Sequence, residues 1–153
     1  PKSAPPQKES EELPAAEPLA SASPLMERIA QAESGGDPNA VNMKPGVTAS
    51  GLLGFNDDTW TRAVAKWGKQ LGITLQDRMD PEAQLALGEK LAEENARILS
   101  RQIGRQPTDG EVYIAHALGA PDAKKLLAAQ GTNKAAIRLF PRKVVESNRE
   151  WFF

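Results

Sequence analysis

The run from Asp80-Pro81-Glu82 to Ile103-Gly104 constrains this chain most. Asp80 supplies a capping oxygen, Pro81 suits the first helical position, and Glu82 complements the positive helix end. Leu85, Leu91, Ile98 and Leu99 then recur at helical spacing up to the Gly104 stop. A long helix with one apolar side is stable only when other elements cover that side. The rest of the chain must therefore supply a helical wrapping.

It carries the punctuation for one. Ser23-Pro24 is an N-cap followed by proline, Leu25, Ile29 and Ala32 form an apolar face, and Gly35-Gly36 is a stop. Asp57 or Asp58 is placed to cap a helix bearing Trp60, Val64 and Trp67 and ending at Gly68. Thr108 and Glu111 form a capping box before Val112 to Leu118, which Gly119 ends. Pro121 to Gln130 predicts a further helix closed by Gly131, and Thr132 or Asn133 caps a last one stopped by Pro141. The aromatics of the Trp151-Phe152-Phe153 tail are expected to pack onto the body. Between the first two helices, Pro38, Pro45-Gly46 and Gly51 forbid a long helix and leave a loop or a small irregular hairpin. The fold class is mainly α, with a short irregular loop/β-hairpin region.

Residues 1–22 are rich in Pro, Ala, Ser and Glu and hold almost no large apolar side chains. Such a segment cannot offset its ordering entropy and reads as a disordered linker, with the folded domain spanning 23–153. The absence of an initiator Met points to a processed chain or an excised fragment, tethered through residues 1–22 to another domain or assembly.

A formal net charge of −1 and no basic stripe argue against a nucleic-acid partner. The lack of Cys excludes disulfides and thiolate chemistry, and a single His makes a His/Cys metal site a poor expectation. No cofactor and no metal are expected. No apolar run approaches the roughly 20 residues that span a bilayer.

The first predicted helix ends in Glu33-Ser34-Gly35-Gly36-Asp37. A carboxylate on the last turn of a mostly buried helix meets the negative end of the helix dipole and partial desolvation. Both disfavour its ionised form, which suits a general acid. The plain alternative is a Glu that points into water.

Three stretches decide between them. They are Glu33 to Asn42, Ala49-Ser50-Gly51-Leu52-Leu53-Gly54-Phe55 with Thr59-Trp60 behind it, and Tyr113-Ile114-Ala115-His116-Ala117-Leu118-Gly119. In this order, over residues 24–140, they resemble the soluble lytic transglycosylases of the goose-lysozyme-like superfamily, which cleave the glycan strands of peptidoglycan. The resemblance implies a lysozyme-like helical fold. It implies that Glu33 is the catalytic acid/base, that Ser34 supports the helix end, and that Tyr113 orients Glu33 through its hydroxyl. Asn42, Gly51, Leu53, Gly54, Phe55 and His116 fall where substrate is met. One departure stands out: the Gln of the family's glycine loop is Gly54 here, which removes a substrate hydrogen bond and lets main chain approach a ligand closely. His116 stands where small residues are usual, a variant associated with phage and related bacterial members.

The implied chemistry is cleavage of the MurNAc–GlcNAc β-1,4 bond by a single carboxylate, leaving 1,6-anhydro-MurNAc ends. It implies action in the periplasm or cell envelope, or from a virion. A hydrolytic muramidase is the alternative and needs a second acid roughly 5–9 Å from the first. Asp37, Asp57 and Asp58 are its candidates, although each also reads as a turn or cap residue. A non-catalytic glycan-binding or structural module is the third reading. Tyr113, Trp60 and Trp67 each have an ordinary role in core packing, and a lone His is more often structural than reactive.

Overall fold

The computed structural model describes residues 22–128. The expected linker, the helix from Thr132 or Asn133 and the aromatic tail therefore lie outside the described residues, apart from Ala22. Helix α1 is Pro24–Ser34, with the Ser23 side chain accepting from Met26 N and Gly35 closing it in the left-handed region. Helix α2 (Asp57–Ala63) continues through a π-helical turn (Val64–Gly68) into α3 (Lys69–Leu71). A 3-10 turn (Leu75–Met79) leads into the long α4 (Pro81–Ile103), followed by α5 (Asp109–Leu118) and α6 (Ala120–Ala128). Among the described residues there is no sheet, only isolated antiparallel bridges pairing Val41 with Ser50 and Ser50 with Phe55. The domain is mainly helical, as expected, and the irregular hairpin is reduced to these bridges.

Helix α4 is the axis. Its Leu85, Leu87 and Ala92 join Met26, Ile29, Leu53, Phe55, Trp60 and Tyr113 in one core cluster. Its Leu99 joins Ile114, Ala115, Ala123 and Leu126 in a second cluster, so α5 bridges both. Burial of this apolar surface is the main favourable term holding the helices together.

Three local expectations are corrected. The cap of α2 is Asn56, whose side chain accepts from Thr59 N at 2.8 Å, not Asp57 or Asp58. Asn56 alone has the extended backbone that a cap requires, whereas both Asp residues already lie in the helix. Gly68 does not stop the helix; it has helical backbone, and Gly72 in the left-handed region ends α3. A Cβ on Gly68 would stand 2.5 Å from Ile73 O, so close chain approach explains that glycine. On α1 the buried stripe is Met26, Ile29 and Ala30, while Ala32 is exposed.

Candidate active site

Four pieces of chain meet at the C-terminal end of α1. The first is Glu33 on its last turn. Next to it Ser34 Oγ lies 2.9 Å from Ala30 O and 2.7 Å from Leu52 O, sharing its proton between the helix end and the following glycine loop. Ser34 thus fastens two backbone segments together.

The loop Ser50–Phe55 is the second piece. Its shape is imposed from α4: Gln84, fully buried, accepts from Leu53 N at 2.7 Å and donates to Ser50 O at 3.1 Å and to Arg78 O. Gly51 has φ +77°, and a Cβ there would fall 1.9 Å from Gln84 Nε2. Arg78 adds a second clasp through Asp57, Thr48 O and Phe55 O. Leu53 and Phe55 are 0 % and 2 % exposed and Gly51 is buried as well, so these three expected substrate residues face the core and shape the loop from behind, leaving Gly54 as the partly exposed residue of Gly51–Phe55. Gly54 is turned towards Glu33. With φ +62°, a Cβ on it would lie 3.2 Å from Glu33 Oε2 and 3.3 Å from Glu33 Cβ. The missing side chain leaves room directly beside the carboxylate.

Helix α5 brings the third and fourth pieces. The capping box of Thr108 and Glu111 fixes its start, with Arg105 clamping Glu111 at 2.6 and 2.8 Å. The Arg105 guanidinium holds the Glu111 carboxyl below its ordinary range. One turn further on, the buried Tyr113 donates from its hydroxyl to Glu33 Oε1 at 3.0 Å. His116 lies half-buried against the Tyr113 ring, stacked at 15° with centroids 6.3 Å apart, and meets Phe55 edge-on. Burial pushes the His116 pKa below 6.5, while the Glu33 charge and a hydrogen bond to the Leu53 backbone oppose that shift.

The structure therefore brings Glu33, Ser34, Gly54, Tyr113 and His116 together. It differs from expectation over Glu33 itself, which is exposed, not held dry by a buried helix. The face of α1 that packs inward stops at Ala30, so the last turn projects beyond the core. Order at Glu33 comes from the Tyr113 hydroxyl instead. Asn42 is exposed, and its side-chain oxygen accepts from Lys44 N at 3.0 Å in a local turn.

The acids proposed for hydrolysis are engaged elsewhere or point outwards. Asp37 accepts from Asn39 N at 2.9 Å, Asp57 pairs with Arg78, and Asp58 is exposed on α2. Among the described residues, no three His, Cys, Asp or Glu side chains are grouped to hold a metal ion. No described helix is long and apolar enough to cross a membrane.

Gln84 and Arg78 are the residues that sequence reasoning missed. A signal for Gln84 existed: it sits between Ala83 and Leu85, one polar residue within the buried stripe of α4. A protein-family model described as the Transglycosylase SLT domain matches residues 13–137.

Proposed function

This chain belongs to the transglycosylase SLT domain family, and on that premise we propose that Glu33 is the acid/base of a peptidoglycan lytic transglycosylase. Membership carries the general activity, cleavage of peptidoglycan glycan strands on the envelope side. The residue roles and the product are our own reading. One observation supports them above the others: Tyr113 Oη lies 3.0 Å from Glu33 Oε1, beside the opening left by Gly54.

In this reading protonated Glu33 gives its proton to the glycosidic oxygen as the bond from MurNAc C1 breaks, releasing the GlcNAc 4-hydroxyl. The N-acetyl oxygen of MurNAc assists at C1 from the other face, in place of the second carboxylate used by most glycosidases. The Glu33 carboxylate, oriented by the Tyr113 hydroxyl, then takes the proton of the C6 hydroxyl. O6 bonds to C1, the N-acetyl group leaves, and a 1,6-anhydro ring closes with Glu33 protonated again. No water is consumed. Gly54 and Ser34 form the sugar-facing wall and Gly51, Leu53 and Phe55 hold its shape from the buried side, with His116 behind Tyr113 and Asn42 on the outer loop. Residues 1–22 serve as a tether that delivers the domain to the wall, in the periplasm or from a virion.

Digestion of purified sacculi with mass spectrometry of the products tests the proposal. Anhydro-muropeptides are expected, and Glu33→Gln should abolish them with the melting temperature retained. Reducing-end products would indicate a hydrolase. No release by the wild-type protein would leave a glycan-binding module and overturn the catalytic assignment.

A further inference from the structure

A cavity of about 570 Å³ adjoins the candidate site through His116, its walls coming from α2, the π-helical turn, α4 and the α5–α6 junction. Among the described residues three polar or charged side chains are buried: Gln84, Asn95 and Glu111. Gln84 and Glu111 are fully engaged by hydrogen bonds. Asn95 lines the cavity at 7 % exposure, and its amide bonds to no described residue. The Asn95 amide is not sealed from solvent but opens onto the cavity, where a ligand that both donates and accepts can reach it.

The charges of the lining point the same way. Lys66 pairs with Glu94 and rests 4.9 Å over the Trp67 ring, so those two charges offset one another. Arg62 makes no ion pair among the described residues; its Nε donates to Asp58 O at 3.3 Å and the rest of the guanidinium is free. The cavity therefore offers one unmatched positive fork, one unmatched amide and an aromatic wall. A cavity of this size accepts a few residues of a ligand.

We propose that this cavity binds the peptide arm of the glycan strand, with Arg62 on a carboxylate and Asn95 on a peptide amide. The proposal rests on the substrate class given above and extends it to a part of the substrate away from the broken bond. The sugars of the strand are uncharged, and the muramyl lactyl group is amide-linked wherever an arm is attached. Carboxylates lie on the arm. A guanidinium fork recognises a carboxylate bidentately, and an arm amide can satisfy both halves of the Asn95 side chain.

The test compares soluble strands that carry their peptide arms with strands stripped of them by an amidase. Arg62→Gln and Asn95→Ala should each raise KM for arm-bearing strands on the order of tenfold, the effect of losing one charge-assisted or buried hydrogen bond. Their kcat, and their cleavage of stripped strands, should match wild type. Equal losses on both substrates, or none on either, would overturn the proposal. A second measurement is independent of catalysis. The free tripeptide alanyl-γ-glutamyl-diaminopimelate should shift the Asn95 side-chain amide resonances in wild type and in Glu33→Gln, but not in Arg62→Gln. An unshifted wild-type spectrum would overturn the arm site. A shifted spectrum from a protein that releases nothing from sacculi would instead support the arm site and remove the catalytic assignment.

Discussion

The Tyr113 hydroxyl on α5 donates to Glu33 Oε1 on α1 at 3.0 Å, joining residues 80 positions apart. Because Glu33 is exposed, this bond supplies the orientation that burial would otherwise give. Tyr113→Phe removes the hydroxyl and keeps the ring that packs against His116. Initial rates on sacculi should fall about 10–100-fold through loss of alignment, while stability falls by only about 1 kcal/mol. A variant with wild-type rates would show that the contact has no part in the reaction.

Gly54 and Gly104 both have left-handed backbone, at φ +62° and +74°, but different surroundings. A Cβ at Gly104 meets nothing within 4 Å, whereas one at Gly54 meets the Glu33 side chain. Alanine at either position should cost about 1 kcal/mol of backbone strain. Only Gly54→Ala should also lower the cleavage rate, by roughly tenfold for a displaced acid. Matched denaturation curves and sacculus assays on the two variants separate strain from crowding.

Gln84 sets the glycine loop from the buried side. Gln84→Ala strands Leu53 N, Ser50 O and Arg78 O and opens a void against Gly51. The expected loss is about 2–4 kcal/mol, read from urea unfolding. Cleavage should decline in the fraction that stays folded. Unchanged stability would mean that the loop holds its shape without this side chain.

His116 gives the domain a pH signature. Burial, against the opposing pull of Glu33 and the Leu53 backbone, holds its pKa below 6.5 in the folded state. As pH falls, the unfolded chain takes up this proton first. The stabilisation is therefore complete above about 6.5 and is lost as pH falls through the folded pKa. Wild type should lose more stability than His116→Asn between neutral and mildly acidic pH. Parallel stability curves would exclude His116 as the source.

How much of this was legible in the chain depends on how local the chemistry is. Ser23-Pro24, Asp80-Pro81 and the Thr108–Glu111 box marked helix starts because each cap bonds to its own first turn. Gly35 and Gly104 marked stops for the same reason. The order of Glu33, the Gly51–Phe55 loop and Tyr113 also carried the family resemblance. Periodicity further placed Ile29, Leu85 and Leu99 on buried faces.

Tertiary structure alone decided the rest. Whether the last turn of α1 is covered depends on how far α4 and α5 reach, and no pattern within α1 records that. Gly68 read as a stop until the approach of Ile73 O supplied another cause. The apolar neighbours of Gln84 could mark it as buried, but not name its partners, because the loop that it holds lies more than 30 positions earlier for Leu53 and Ser50. A sequence states which groups can bond to near neighbours; distant groups acquire partners only when the packed core fixes their separation.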